Sequence, residues 1–402
     1  MTILSTKVIL VITLTLFYNT SFVTQAKVKN KVTNKVKSNI QSWPQITQHR
    51  WGEFNNQAIW LFELTNINGI KVRLTNFGAY VQAIEVPDKN GAFSDIMLGY
   101  DFAEQYVNDC CYNGATVGRY ANRIKHGRYS YANKSYQLTT NNGGANKINH
   151  NHGGITGFNK KLWQVSRFDS AVVLTYTSAD GEQGYPGELV VIAKFELTNN
   201  NEFIISYSAD TSKATPINII PHLYFNLNGN GQGTIENHQL EINADYITEI
   251  EPYLTATGRL LSVKDTPFDF LKSKSIARDI RIKHPQLKLA GGQDKTYGGY
   301  DHNWVLNNYD GKMRQQAILF EPTTGRKITI STTQPGIQVY SGNFMNGTVI
   351  GKKGKLMANR SGLAIEPQHF PDSPNHKNFP NTILSPEENY KEVTKFHFSV
   401  QP

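Results

Sequence analysis

Residues 188–209 alternate with a period of two. Leu189, Val191, Ala193, Phe195 and Leu197 occupy every second position. Asn199 to Asn201 interrupt the pattern, and Phe203, Ile205 and Tyr207 resume it. Side chains of a strand point to opposite faces in turn, so this spacing specifies a β-hairpin with one buried face and is incompatible with a helix. The same signal recurs along the chain. Ile59 to Leu64 and Ile70 to Thr75 flank the turn pair Asn68-Gly69, and Val81 to Val86 ends at Pro87-Asp88. Ala317 to Glu321, Lys327 to Thr332 and Ile337 to Tyr340 are separated by Thr-Thr-Gly and Gln-Pro-Gly breaks, and Phe396, Phe398 and Val400 alternate near the end. No long run repeats at helical spacing. Many short strands joined by loops rich in Gly, Asn and Pro predict an all-β fold, a large antiparallel β-sandwich. No shift of composition divides residues 41–402, so a single domain is expected there, with two stacked β domains as the alternative.

The first 40 residues read differently. Lys7 precedes an apolar run, Val8 to Phe17, followed by small and polar residues up to Ala26. The run is too short to span a bilayer comfortably and has the layout of a signal peptide over residues 1–26, with Thr24 and Ala26 at −3 and −1 of a cleavage site. An uncleaved anchor is the alternative. Cleavage implies export, to a periplasm or the outside, with no stable membrane insertion afterwards. Residues 27–40 carry lysines at 27, 29, 31, 35 and 37 and read as a basic, solvated tail. The chain's formal charge is +9; residues 1–40 hold six lysines and no acid, and subtracting them leaves +3 for the rest. The high pI is therefore mostly a property of the tail; no basic stripe is evident in the rest of the sequence, and no nucleic-acid partner is expected. The two cysteines, Cys110 and Cys111, are adjacent. Neighbouring cysteines bridge each other only with strain, so free, partly buried thiols are expected.

Chemistry-bearing residues gather in six short clusters. They are Gly118 to Ile124, with Arg119, Asn122 and Arg123; His150-Asn151-His152-Gly153-Gly154, leading to Phe158 and Trp163; Thr215 to Leu227, with Asn218, His222, Tyr224 and Asn226; Gly299-Tyr300-Asp301-His302-Asn303; Ile337 to Asn343, with Gln338; and Ile365 to Asp372, with Glu366 and Gln368. Planar polar groups beside aromatic rings suit polyols, whose hydroxyls need directed hydrogen bonds and whose C–H faces need apolar cover. Each cluster also has a plainer reading. A loop histidine such as His302 or His369 is commonly a satisfied structural group, and neither is given a role. Trp163 and Phe158 read equally as core or as platform. His150-x-His152 offers two metal ligands without a clear third, so no metal is expected.

The order and spacing of these clusters, with the Gly181-Glu182-Gln183-Gly184-Tyr185-Pro186-Gly187 loop between them, resemble the aldose 1-epimerase (galactose mutarotase) family from about Trp51 to Tyr390. The resemblance implies a large β-sandwich and interconversion of the α and β anomers of free aldohexoses such as glucose and galactose. It implies His222 as catalytic acid and Glu366 as catalytic base, with Asn122, Arg123, His152, Asp301 and Gln338 contacting the sugar. Ring opening needs one proton taken from the C1 hydroxyl and one given to the ring oxygen. A carboxylate and an imidazolium on opposite sides of the sugar would serve. At ordinary values of ~4.3 and ~6.5, Glu366 would be ionised at neutral pH, and His222 would need a carboxylate nearby to hold its charge. No cofactor is required, and the partner is a small-molecule aldohexose. Oligomeric state cannot be read from the sequence.

Some points differ from the family pattern or stay open. Lys147-Ile148-Asn149 looks inserted, which leaves either His150 or His152 to reach the sugar, with His152 preferred because it directly precedes Gly153-Gly154. Arg119 is read as bracing a loop through a carboxylate while Arg123 faces the sugar, with the reverse assignment as the alternative. Ile219-Ile220-Pro221 stands where a polar Thr-Asn pair is common, and Pro221 removes a backbone donor beside His222. Glu387-Glu388 carries Glu where Gly is usual, in an expected surface turn. The competing functions are a hexose-6-phosphate epimerase, which would want extra basic groups such as Lys352, Lys353 and Lys355, and a non-catalytic sugar-binding module on the same fold.

Overall fold

The computed structural model describes residues 44–168, 170–292 and 298–402. The expected signal segment and basic tail lie outside them. Among the described residues the longest α-helices have five residues, Ala103–Val107 and Pro285–Leu289, and none is long and apolar enough to cross a membrane.

The hairpin expected at 188–209 forms from strands Leu189–Leu197 and Glu202–Thr211, with Phe195 opposite Ile205 and Leu197 opposite Phe203. Its alternation is that of burial. Leu189, Val191, Ala193 and Phe195 are fully buried, whereas Val190 and Ile192 between them are 37% and 39% exposed. The hairpin belongs to a nine-stranded antiparallel sheet. Its order is Gln164–Phe168, Ala171–Ser178, Leu189–Leu197, Glu202–Thr211, Tyr390–Val400, Arg326–Thr332, Arg314–Phe320, Gln239–Ile242, Lys274–Ser275. The C-terminal strand thus sits mid-sheet, its residues paired with partners 181–195 positions away on one side and 62–74 on the other, and it joins them into one surface.

A six-stranded antiparallel sheet carries, in order, Tyr224–Phe225, Leu363–Gln368, Gly336–Tyr340, Asp301–Leu306, Ala244–Ile250 and Ala256–Ser262. Ile337, Val339, Leu363, Ile365 and Trp304 from this sheet share a core with Phe195, Ile205, Ile328, Ile330, Phe396 and Phe398 from the nine-stranded one. This is the sandwich arrangement: alternate residues of facing sheets interdigitate, and apolar burial at ~25 cal/mol per Å² drives the packing. A five-stranded sheet from Gln45–Phe54 to Phe93–Asp95 contributes Phe62, Leu64, Val72, Leu74 and Ile84 to the same core. The turn between its second and third strands, Gln57–Thr65 and Lys71–Thr75, is the expected Asn68-Gly69, with Gly69 at φ +82°. Trp163 and Phe158 are core residues, 2% exposed, and not platforms.

Candidate functional site

Because side chains alternate, a strand that gives Ile337 and Val339 to the core must give Gln338 and Tyr340 to the other face. Likewise Leu363 and Ile365 go to the core and Glu366 away from it. Register completes the arrangement: Gln338 pairs with Asn303 on one side and with Glu366 on the other, and Asp301 pairs with Tyr340. Asp301, Gln338, Tyr340 and Glu366 therefore line one cavity, of about 360 Å³. Gln338 Nε2 donates to Asp301 Oδ1 at 2.6 Å, and Gln368 Nε2 donates to Asn303 Oδ1 at 3.2 Å beneath them.

His222 comes from a separate piece of chain. The short strand Ile220–Pro221 pairs with Thr116–Val117, and the His222 N–H donates to the Ala115 carbonyl at 2.8 Å. The Gly114 N–H donates back to the His222 carbonyl at 2.9 Å. Pro221 lacks a donor, but the next residue supplies the anchoring bond. The imidazole packs among Tyr112, His152 and Tyr224, with ring centroids 5.8, 5.3 and 4.9 Å away. Its Nε2 lies 3.5 Å from Glu366 Oε1, and both side chains are almost wholly buried. The two groups are side by side, not on opposite sides of a sugar-sized gap. Chemistry favours this: the C1 hydroxyl oxygen and the ring oxygen are bonded to the same carbon, so the groups serving them must be neighbours.

The rest of the wall comes from the first two clusters. Arg123 and Ile124 pair with Asn151 and His150. Asn122 Oδ1 accepts the Arg123 N–H at 2.9 Å and an Arg123 Nη1–H at 3.3 Å, and Arg123 Nε donates to Asn142 Oδ1 at 3.1 Å, so the guanidinium is held at the cavity by neutral partners. The Asn122 N–H donates to His152 Nδ1 at 3.2 Å, which leaves the His152 proton on Nε2. Gly153 follows at φ +81°, and a Cβ there would stand 1.8 Å from the Gly118 carbonyl oxygen, so only glycine allows the turn that presents His152.

The residues left as alternatives by the sequence occupy different places. His150 Nδ1 meets the Thr139 carbonyl at 2.6 Å and its Nε2 the Tyr185 hydroxyl at 2.5 Å, so both nitrogens are occupied away from the cavity, while His152 lines it. Arg119 is buried as a loop brace. Its guanidinium donates to the carbonyls of Pro186, Gly187, Ser178 and Ala179 and to the hydroxyls of Ser178 and Thr215, where a carboxylate partner was the expectation. The basic run at 352–355 is outside the cavity lining and engaged: Lys352 with Asp95, Lys353 with the Asn230 side chain and Lys355 with the Asn230 carbonyl. Among the described residues lining the cavity, Arg123 is the one Lys or Arg side chain.

Several lining residues have no role in the sequence reading. Tyr340 stands two positions after Gln338 on one strand, so the same period-two argument finds it, and Tyr224 opens the short strand that follows His222. Tyr112, Phe344 and Met345 are brought in by loops with no local signal. Cys110 and Cys111 line the cavity as well, and they are bonded to each other as a disulfide, contrary to the expected free thiols.

Burial dominates the electrostatics. It pushes the His222 imidazole down to about 3. It pushes the Glu366 carboxyl well up, with the neighbouring Asp301 adding to the rise and Arg123 opposing it. Asp301 is raised by burial too, against Arg123 and the Gln338 hydrogen bond. The unliganded site thus favours neutral groups, with one proton held on the Glu366 side of the pair, where an ionised Glu366 facing a charged His222 was the sequence expectation. The proton count is the same in both descriptions; what differs is which partner holds it. Glu366 Oε2 is buried without a hydrogen-bond partner among the described residues, an acceptor available to a bound hydroxyl.

Comparison with known proteins finds relatives over most of the chain. The family described as Aldose 1-epimerase matches residues 61–397. A galactose mutarotase of Bos taurus is 38% identical over 331 residues, 82% of this chain and 92% of the relative. An aldose 1-epimerase of Escherichia coli K12 is 34% identical over 347 residues, 86% of this chain and 96% of the relative. Among solved structures, a galactose 1-epimerase from Lactobacillus acidophilus superimposes with a TM-score of 0.76 at 26% identity, covering 89% of this chain and 100% of its own. An aldose epimerase homologue from C. elegans gives 0.75 at 29% identity, covering 85% and 99%.

Proposed function

The chain belongs to the aldose 1-epimerase family, and we propose that it interconverts the α and β anomers of free aldohexoses such as glucose and galactose through Glu366 and His222. The observation that carries the assignment of the pair is the 3.5 Å approach of His222 Nε2 to Glu366 Oε1 in the wall of a polar cavity.

With sugar bound, O1 lies against Glu366 and the ring oxygen against His222. Hydroxyls displace the residual water, and Arg123 stabilises negative charge on the carboxyl, which shifts the shared proton toward His222. Glu366 then takes the O1–H proton as His222 gives its proton to the ring oxygen. The C1–O5 bond breaks and C1=O1 forms. Rotation about C1–C2 presents the other carbonyl face; the O5 hydroxyl attacks it and the two residues exchange roles. The protons gained and lost balance. Asp301, oriented by Gln338, and His152, presenting an Nε2–H, hold ring hydroxyls, and Asn122 fixes Arg123. A lone guanidinium pinned by two asparagine side chains suits a neutral hexose better than a phosphorylated one.

Export is proposed on the apolar run Val8 to Phe17 after Lys7. N-terminal sequencing of the chain recovered outside the cytoplasm should begin at Lys27; a chain retaining Met1 in the membrane fraction contradicts cleavage.

The reaction is tested by polarimetry of freshly dissolved α-D-glucose and α-D-galactose. The chain should speed the approach to anomeric equilibrium. An optical drift at the uncatalysed rate, with sugar bound, would instead make it a binding module.

A further inference from the structure

We propose that Tyr112 is a positioning residue for His222 and that the Cys110–Cys111 bond is a dithiol-reducible latch holding it there. The proposal rests on the assignment of His222 to acid–base work.

The segment from Asp109 to Ala115 is tied at both ends. At one end the buried Asp109 carboxylate accepts the N–H groups of Cys111 at 2.9 Å and Asn113 at 3.1 Å, and the hydroxyls of Tyr100 at 2.6 Å and Tyr80 at 3.1 Å. At the other end Gly114 and Ala115 hold the His222 backbone through its carbonyl and its N–H. Between these anchors Tyr112 adopts φ +59°, a left-handed conformation that a bulky residue enters only when its surroundings impose it. Its ring is parallel to that of His222, at 22°, and also packs on His152 with centroids 4.6 Å apart. Tyr112 therefore closes one side of the catalytic imidazole against water. The bond between the two preceding residues removes backbone freedom next to this strained position. Cys111 is partly exposed and both cysteines line the open cavity, so a small reductant has a route to the bond.

Reduction by dithiothreitol breaks the Cys110–Cys111 S–S bond. Two electrons and two protons pass to the two sulfurs, and the reagent becomes a cyclic disulfide. The freed segment lets Tyr112 relax away from positive φ, and the imidazole gains water and rotational freedom. A displacement of ~1 Å in a catalytic group costs up to ~10²-fold in rate, so a loss of about 10-fold is expected.

The full chain is assayed oxidised, after reduction and removal of reagent, and as the Cys110→Ser/Cys111→Ser, Tyr112→Leu and Tyr112→Phe variants. Turnover is followed by polarimetry, thiols by titration and galactose affinity by calorimetry. Expected are two titratable thiols after native reduction and a kcat lower by about 10-fold, with KM changed less than about 2-fold. The double serine variant and Tyr112→Leu should match the reduced chain, and Tyr112→Phe, which keeps the ring, should recover most of the kcat that Tyr112→Leu loses. In the slow forms the acid limb of kcat against pH should move up, because hydrating His222 relieves the burial that depresses it. No thiols under native conditions, equal kcat in both redox states, or a slow Tyr112→Leu with an unmoved acid limb each overturn the proposal. Absence of turnover in the oxidised chain, with galactose bound, overturns the assignment of the reaction instead.

Discussion

Gln338 and Asp301, on neighbouring antiparallel strands, are joined by a 2.6 Å hydrogen bond from Nε2 to Oδ1 inside the cavity. The bond holds one carboxylate oxygen and leaves the other for substrate. It also makes a buried carboxyl cheaper to keep ionised, against a burial that pushes it up. Gln338→Leu should therefore loosen Asp301 and favour its protonated form. Steady-state kinetics should show KM raised about 10-fold with a smaller fall in kcat, the pattern of lost ground-state binding. A variant with wild-type KM would mean that Asp301 does not meet the sugar.

Removing either member of the His222–Glu366 pair should act on the chemical step. Glu366→Gln keeps the shape and loses the base, and His222→Ala loses the proton donor. Each should lower kcat by ~10²-fold or more, since general acid–base catalysis supplies about that factor. Calorimetry on Glu366→Gln should find galactose affinity within a few-fold of wild type. Residual turnover near the wild-type rate in either variant would remove that residue from the mechanism.

The same pair should mark the pH dependence of stability, with opposite signs. The folded Glu366 carboxyl is raised well above its unfolded value of ~4.3, so its contribution is complete below that pH and is lost as pH rises above it. Glu366→Gln should then melt higher than wild type at neutral pH, by a few degrees, with the gap closing below about pH 4. His222 is depressed to about 3 from an unfolded ~6.5, so its contribution is complete above ~6.5 and is lost as pH falls toward 3. His222→Gln should lose less stability than wild type between pH 6.5 and 4. Thermal melts of the three chains across pH 3.5 to 8 decide both signs, and parallel curves for all three would contradict the burial argument.

Two arginines four residues apart should behave as different kinds of residue. Arg119→Ala removes a buried guanidinium that holds the carbonyls of Ser178, Ala179, Pro186 and Gly187 together and should cost ~3 kcal/mol or more in denaturant unfolding. Arg123→Lys keeps the charge but loses the planar fork that meets Asn122 and Asn142 together. It should fold at near wild-type stability and lower kcat/KM by about 10-fold. Interchanged phenotypes would reassign the two positions.

How far these roles could be read without coordinates varies with their origin. The strand bearing Gln338 shows its alternation directly: apolar neighbours at 337 and 339 go one way, so the polar residue between must go the other, and Glu366, next after the core residue Ile365, takes the face opposite to it. The same rule covers Tyr340. It does not reach Arg119 and Arg123, because both sit in one irregular cluster where no period assigns a face. Nor does it separate His150 from His152, since both positions fall on the same side of a local alternation. Those choices follow from partners distant in sequence: Pro186 and Gly187 for Arg119, Tyr185 and Thr139 for His150.

The order of apolar and polar residues determined the class of fold, the sandwich, and which residue types were available for acid–base chemistry, because strand periodicity and side-chain reactivity are local properties. The tertiary structure alone decided that His222 and Glu366, 144 positions apart in sequence, stand 3.5 Å from each other. It alone brought Tyr112 against the imidazole, joined Cys110 to Cys111 and reversed the expected protonation of the pair. Burial, which sets those proton affinities, is a property of the assembled core and has no value for any residue until the sheets have packed.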